Sequence, residues 1–530
     1  MGVVDREIED VKRFDEIVRV LAEQEMGMVL DRLDLKHRLP FVQRFTSPRE
    51  KEPKPERLRE TLERLGPTFV KFGQIMAQRP DVIPQRYIDE LEKLEDSVSS
   101  FESSEARRII EQEVGGIDEV FSEFDDEPMA AASIAQVHKA TLNSGDEVIV
   151  KVRRPGIEED VATDLEILEF LAKRAEKHSE EFQDVRLLKL VEEFDKWINE
   201  EMNFEKEARN AEIIQGNTEG QEKVKIPDVY TELSTKKVLV MEYVEGVKCT
   251  EDEKLKELDV DISEVTRRGI RMGLNQVIRD GFFHADPHPS NFFIDEDGKI
   301  ILIDFGMVGK LTKKTRERLG LLFLHIANED VESAVDVIMD IGRVDDDADI
   351  DCFKEDVEEM ILMLRNSRVK DASLTKTAFK LVVQASSKGI YLPTNLVLTA
   401  KTLVTIEGIL LTVNPEAEVT DEYQDEIERI LKEQNSPEQM GKSFMIDLLQ
   451  NKDLLTKAPS KISKKLDSDS GGGTTKVEVE ETSDHHEDIL TAGLILAATF
   501  LLSQVLPSSS LRILGVLFLL AAAILFSKRI

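Results

Sequence analysis

Cysteine is scarce: the chain has 530 residues and only two cysteines, Cys249 and Cys352, set far apart. They form no Cys-x-x-Cys pair and no zinc spacing, so a disulfide framework is excluded and a reducing compartment is expected. Basic charge is also in short supply. Seventy Lys and Arg face 106 Asp and Glu, a formal net charge of −36. That balance excludes non-specific nucleic-acid binding, which needs a basic face, and a polybasic membrane patch. The acidic excess suits a well-solvated surface or a salt-rich cytoplasm. An apolar leader is missing as well. The opening MGVVDREIEDVKRFDEI carries charges throughout, so no signal peptide is expected. Arg6 stands where N-myristoylation wants Ser or Thr.

What is present is a hydrophobic fraction of 41%, enough for a packed core, in a chain long enough for two or three domains. Residues 1–50 read as helices, and 55–95 as helix broken at Gly66-Pro67 and again near Pro80 and Pro84. From 128 to 152 the texture changes: MAAASIAQVHKATL, NSGD, EVIVKV reads as strand, turn, strand. Two long amphipathic helices follow, over roughly 158–178 and 186–215, and then the apolar strand KVLVMEYV. A helix over 261–280 leads into the loop HADPHPSN, the short strands FFI and KIILID, and a mostly helical stretch over 313–450.

Residues 458–488 combine APSK, SDSGGG and acidic repeats, the composition of a flexible linker. Beyond it, 489–506 is apolar apart from small polar residues and 511–526 is apolar apart from Arg512, the two joined by Pro507-Ser508-Ser509-Ser510. At 1.5 Å per residue the first spans about 27 Å, close to a bilayer core. A buried core hairpin would need something to pack on, and the linker offers nothing, so a transmembrane helical hairpin is expected. The basic tail Ser527-Lys528-Arg529 places the C-terminus in the cytoplasm by the positive-inside rule. A nucleotide-using domain would sit on the same side, so both termini are expected inside.

The loop His284-Ala285-Asp286-Pro287-His288-Pro289-Ser290-Asn291 fits two chemistries. As a zinc site, His284 and His288 would need a helix, which Pro287 and Pro289 forbid, and no third ligand lies nearby. As a phosphoryl-transfer loop it has the spacing H-x-D-x-x-x-x-N. Asp286 then orients or deprotonates the attacking hydroxyl and Asn291 takes a metal. His284 then becomes a structural residue, and His288 touches substrate or caps the turn. Eighteen residues after Asp286 comes Asp304-Phe305-Gly306, delivered by the apolar run IILI, so Asp304 is the second metal ligand. Upstream, VIVK ends at Lys151, matching the V-A-I-K strand lysine. Glu207, in EMNFEKEARN, is its expected helix partner; a solvated acidic face is the alternative.

Glycine is absent where such a site usually needs it. Counting back from Lys151, the three glycine positions of G-x-G-x-x-G-x-V are Ala130, Ala132 and Ala135, with Val137 at the valine position. A Cβ at each position limits close backbone approach to phosphate, so the grip differs and Ser133 and Gln136 are candidate polar contacts.

Together these residues resemble the UbiB family of atypical kinases, the ubiquinone-biosynthesis and AarF-like group. The likeness covers roughly residues 55–320 in motif detail. GPTFVKFGQIMAQRPDVIP is similar to the family's KxGQ segment, with Lys71, Gly73 and Gln74; AAASIAQVH to its alanine-rich loop; EMNFEKEA to its ExD segment; and GFFHADPHPSN and DFGMVGKL to its catalytic and metal loops. Two positions depart: Asn203 replaces the second acid of ExD, and Ser290 replaces a glycine.

The resemblance implies an α+β, protein-kinase-like bilobal fold. Its parts would be an N-terminal helical extension with the KxGQ motif over 1–105, the kinase-like domain over 106–455 with a mostly helical C-lobe, the linker over 456–488 and the hairpin over 489–527. It implies ATP or ADP with Mg²⁺ as cofactors, with Glu242 and Val244 completing the nucleotide-binding set, and Lys71 and Gln74 projecting toward the nucleotide near Glu201. It further implies an integral, multi-pass membrane protein supporting isoprenoid quinone or related lipid biosynthesis or transport. A membrane lipid or quinone precursor, quinone-biosynthesis enzymes and a second copy of the chain are the partners to expect. The competing readings are a membrane-anchored protein kinase, opposed by the missing glycines and by HAD in place of HRD, and a nucleotide-binding pseudokinase scaffold.

Overall fold

The computed structural model describes residues 3–24, 54–80, 82–94, 99–178, 186–366, 373–417 and 419–434. The linker and hairpin expected over 456–527 therefore lie outside the described residues. The chain divides into two units, Met1–Ile427 and Glu428–Ile530, and of the second only 428–434 are described.

Among the described residues four helices come first: α1 (Val3–Glu23), α2 (Pro55–Leu65), α3 (Pro67–Met76) and α4 (Gln85–Leu91). Gly66, at φ 98°, separates α2 from α3, and Pro67 starts the new helix where its missing N–H costs nothing. α3 carries Lys71, Gly73 and Gln74. A Cβ at Gly73 would lie 2.4 Å from Leu94 and 2.7 Å from Leu62, so the glycine of this motif lets α2 and the end of α4 close on α3.

The small lobe follows. Helix α5 (Ser103–Glu113) and the single turn α6 (Ile117–Val120) lead into β1 (Phe121–Phe124), β2 (Ala130–Ala131), β3 (Ala135–Leu142) and β4 (Glu147–Arg153). With β6 (Val238–Glu242) they form an antiparallel sheet in the order β1-β3-β4-β6, with β2 on β3. Alternation decides the two faces. Val148, Val150, Val152, Val238 and Val240 are fully buried with Ala106, Ile109 and Ile110 of α5. The other face carries Val137, Lys151 and Leu239 in one register row.

Between β4 and β6 run α7 (Ile157–His178), α8 (Leu187–Glu201), α9 (Phe204–Thr218) and β5 (Val224–Lys225). The helix expected over 186–215 is thus two helices, broken at Met202-Asn203. The backbone groups freed by the break find partners elsewhere: Arg153 Nη1 donates to the Met202 carbonyl at 2.8 Å, and Phe204 N to the Lys236 carbonyl at 3.3 Å. α1–α4 share one apolar core with α7 and α8, including Ile17, Phe69, Val70, Ile75, Ile167, Phe194 and Ile198.

The larger lobe begins at β7 (Val247–Lys248), α10 (Asp252–Glu257) and α11 (Ile262–Leu274), which ends in a π turn over Asn275–Asp280. Short strands β8 (Phe282–His284), β9 (Phe292–Ile294), β10 (Ile300–Leu302) and β11 (Val308–Lys310) frame the loops of interest. β8 pairs with β11, and β9 and β10 join β5 and β7 in a second small sheet. Six helices follow: α12 (Lys313–Ala327), α13 (Val331–Ile341), α14 (Ile350–Asn366), α15 (Leu374–Ser387), α16 (Thr394–Val413) and α17 (Val419–Gln434). Two-residue strands β12 (Arg343–Val344) and β13 (Ile390–Tyr391) pair between them. α16 is long and apolar enough to cross a bilayer by composition alone. It instead packs on α11 and α15, with Leu396, Leu403, Ile406 and Leu410 buried.

Candidate phosphoryl-transfer site

β4 alternates its side chains so that Lys151 leaves the sheet on the face opposite the α5 core. There its Nζ meets both oxygens of Glu207 of α9, at 2.8 and 2.9 Å. Glu207 is 2% exposed. Burial pushes its carboxyl up and would push the lysine down, but the contact with Glu207 and the charge of Asp304 hold the Lys151 amine above its ordinary range. The pair is an ion pair, and the break at Met202-Asn203 is what turns α9 so that Glu207 faces the sheet.

β8 delivers the second group. His284 is buried, its backbone N–H donates to Gln276 Oε1 at 3.1 Å, and its Nδ1 accepts the Asp286 N–H at 3.2 Å. Burial lowers its pKa against the pull of Asp304 and Asp286, and the ring braces the loop beneath Asp286. His288 caps the next turn: Ser290 N–H reaches its Nδ1 at 3.3 Å and Ser290 Oγ lies 2.6 Å away. Ser290 Oγ also lies 3.5 Å from Asn291 Oδ1, so the residue in the glycine position joins the bonding of the loop. Asn291 Nδ2 lies 3.3 Å from Asp304 Oδ2.

β10 presents Asp304. Burial alone would raise its carboxyl, but Lys151, His284, the Gly306 N–H at 2.9 Å and Lys71 bring it down to about 2. It is therefore a carboxylate at any physiological pH. Asp304 offers a hard oxygen donor; Asn291 turns its Nδ2 to Asp304 and its Oδ1 to Ser290 Oγ, so a flip of its amide sets a second oxygen beside the first. Among the described residues no cluster of three His, Cys, Asp or Glu forms an all-protein cage. Two side-chain oxygens plus phosphate oxygens is the arrangement Mg²⁺ accepts, so these residues fit the ion.

Lys71 of α3 is 7% exposed and pairs with Glu201 at the end of α8, at 2.5 Å. Glu201 lies close to Gly306 as well, so the motif lysine stands beside the metal-loop acid. Gln74 differs from expectation. Its Nε2 donates to the Leu94 carbonyl at 3.1 Å, which ties α3 to the segment after α4. Gln136 differs too. Val137 sits opposite Lys151, so period-two alternation turns Gln136 to the other face. There its Oε1 accepts from Phe101 N at 3.0 Å and its Nε2 meets His138 Nε2 at 3.0 Å.

Glu242 also faces away from Lys151, in register with Val148; its carboxylate takes Lys225 and the Asp228 N–H, at 3.2 Å for the latter. Only its backbone remains for a ligand. Val244 lies in the connection from β6 to β7, half-buried.

Ala130 and Ala131 pair with Val137 and Gln136, and Ala132 N–H bonds the Ala135 carbonyl at 2.7 Å, making a tight hairpin. Ser133, at its tip, is 1% exposed and its hydroxyl has no protein partner. Arg154 pins this hairpin by donating to the carbonyls of Ser133 and Ala132, each at 3.2 Å, and of Ser99 at 3.0 Å.

Sequence reasoning missed Asn210. It follows Glu207 by one turn of α9, and its Nδ2 donates to the Phe305 carbonyl at 3.0 Å, while Glu207 takes a backbone hydrogen bond from Phe305. One helix thus holds both sides of the residue after Asp304. The i,i+3 spacing in EKEARN carried that signal. A separate cavity of about 350 Å³ between α7 and α8 is lined by Glu158, Glu166, Glu169, Glu192 and Asp195 with no Lys or Arg; such walls repel phosphate.

A strand lysine paired to a helix glutamate, above a catalytic loop and a metal loop on short strands, defines a protein-kinase-like protein. Comparison with known proteins agrees and narrows the class. The ABC1 atypical kinase-like domain matches residues 93–338. The chain is 33% identical over 469 residues to a protein named Probable protein kinase UbiB from Azotobacter vinelandii, covering 87% of this chain and 86% of that one. A protein of the same name from Pseudomonas entomophila is 36% identical over 386 residues, 72% of each chain. Among solved structures, the Rv3197–erythromycin complex from Mycobacterium tuberculosis is similar at a TM-score of 0.46 and 22% identity, covering 64% of this chain and 87% of that one. The chain belongs to the UbiB family of atypical kinase-like proteins.

Proposed function

We propose that this chain is a Mg-nucleotide-dependent atypical kinase or ATPase, held at the membrane by residues 489–527, that supports isoprenoid quinone or related lipid biosynthesis or transport. The observation that carries the reading is the buried ion pair Lys151–Glu207 beside the ionised Asp304 and Asn291. Lys151 holds the nucleotide phosphates. Asn291 and Asp304 would hold Mg²⁺, which neutralises phosphate charge when bound. Asp286, fixed by His284, orients the attacking hydroxyl and takes its proton as the acceptor oxygen bonds to the terminal phosphorus and the nucleoside diphosphate leaves. The small-lobe hairpin lies over the phosphates. The N-terminal helices, with Lys71 beside Asp304, narrow the opening, which favours a small or lipid-like acceptor, or water, over a folded protein.

Calorimetry on the Asp304→Asn variant tests the site: Mg-dependent nucleotide binding should disappear while the fold persists, and unchanged binding would remove Asp304 from it. The pathway is tested by lipid profiling of a deletion strain, where quinone should fall and a precursor accumulate. Full rescue of that strain by Asp304→Asn would make the protein a scaffold and not a phosphotransferase.

A further inference from the structure

Helix α16 is buried along much of its length, yet it carries a lysine where the large lobe meets two other parts of the molecule. Lys401 Nζ donates to the Ala77 carbonyl at 2.7 Å and lies 3.4 Å from Glu92 Oε1. Ala77 caps the C-terminal end of α3, the helix of Lys71 and Gln74. A cation there satisfies one of the carbonyls that a helix end leaves unpaired and meets the negative end of its dipole. The next residue, Thr402, is 1% exposed and donates its hydroxyl to the Ala285 carbonyl at 3.3 Å. Ala285 is the middle residue of His284-Ala285-Asp286. Two consecutive side chains of α16 therefore join the end of α3 to the loop that bears Asp286.

A lysine present only for solubility would direct its amine to water. The Lys401 side chain is 21% exposed, and burial lowers its pKa although Glu92 and Asp286 pull it back up. On the other side, α3 is followed by Arg79, which pairs with Glu193 of α8 at 2.5 Å, so the α3 end is held from both sides.

We propose that Lys401 is a positioning residue of the site: it holds the C-terminal end of α3 against the catalytic loop and so sets which acceptors reach Asp286. This rests on the reading of Asp286 as the residue that orients the acceptor. Lys151, Asn291 and Asp304 take no part in the contact, and Lys71 of α3 is held separately by Glu201, so nucleotide affinity is expected to be unchanged by its loss. Release of the α3 end opens the approach to Asp286, and water enters as a competing acceptor.

The test uses the full-length protein in detergent, as wild type, Lys401→Met, Lys401→Arg and Glu92→Gln. Three quantities are read: amide hydrogen exchange over residues 67–94, nucleotide Kd by calorimetry, and release of nucleoside diphosphate with water as the only acceptor. Lys401→Met should raise exchange over that segment about tenfold and raise diphosphate release several-fold, with Kd unchanged. Lys401→Arg should restore both, and Glu92→Gln should change little, because the carbonyl is the main partner. Unchanged exchange in Lys401→Met, or raised exchange without raised release, overturns the proposal. If Lys401→Met does not fold, Lys401→Gln is measured in the same way. Wild-type protein that binds nucleotide but releases no diphosphate fails the phosphotransfer reading; the exchange arm alone then upholds or overturns the contact.

Discussion

Asp304 keeps its charge inside the protein because Lys151, His284, the Gly306 N–H and Lys71 together outweigh its burial. Its folded pKa of about 2 is below the ordinary 3.8. The carboxylate therefore adds stability above pH 4, and that stability is lost as pH falls from about 4 to 2. A depression of this size is worth about 2 kcal/mol. Acid unfolding followed by circular dichroism should show this slope in wild type and lack it in Asp304→Asn; parallel curves would argue against the charge environment described. Asn210→Leu removes the donor to Phe305 while leaving Lys151–Glu207 in place. Mg-nucleotide affinity should fall about tenfold, the scale of one hydrogen bond lost at a site, as measured by calorimetry. Residue positions were unevenly legible. Lys151, Glu207, Asn291 and Asp304 follow from spacing, and the structure brings them together. Gln136 was misread because a motif count ignores sheet parity, though Val137 opposite Lys151 already implies that its neighbour faces away. Gln74 was not legible, since its partner is a backbone carbonyl distant in sequence.

At the scale of elements, apolar runs marked β4, β6, β9 and β10, and Gly66-Pro67 marked the boundary of α2 and α3. The break between α8 and α9 was invisible. Residues 186–215 keep helical periodicity without Pro or Gly, and the break is stabilised by Arg153 and Lys236 from other strands and turns. The pairs β8–β11 and β12–β13 are too short for periodicity to show. The first of them depends on Gly309, where a Cβ would come within 2.1 Å of the buried Phe283 ring. Gly309→Ala should cost about 1–3 kcal/mol, read as a lower denaturant midpoint. An unchanged midpoint would mean that the ring can move aside.

For the whole molecule, the shared core of α1–α4 with α7 and α8 was not readable, because amphipathic faces do not name their partners. The hairpin expectation makes its own prediction. A C-terminal tag should resist external protease in intact cells, and alkaline carbonate should leave the protein in the membrane. A cleaved tag would contradict the inward tail, and extraction would mean that the hairpin does not span. The small-lobe hairpin held by Arg154 has a further consequence at this scale. In protein kinases a glycine-rich flap over the phosphates lifts readily. Here three carbonyls from two segments are gripped by one guanidinium, so the hairpin is a wall and not a flap. In an enzyme that works as proposed, spent nucleotide waits behind that wall, and the protein behaves as a slow clock whose period is set by egress.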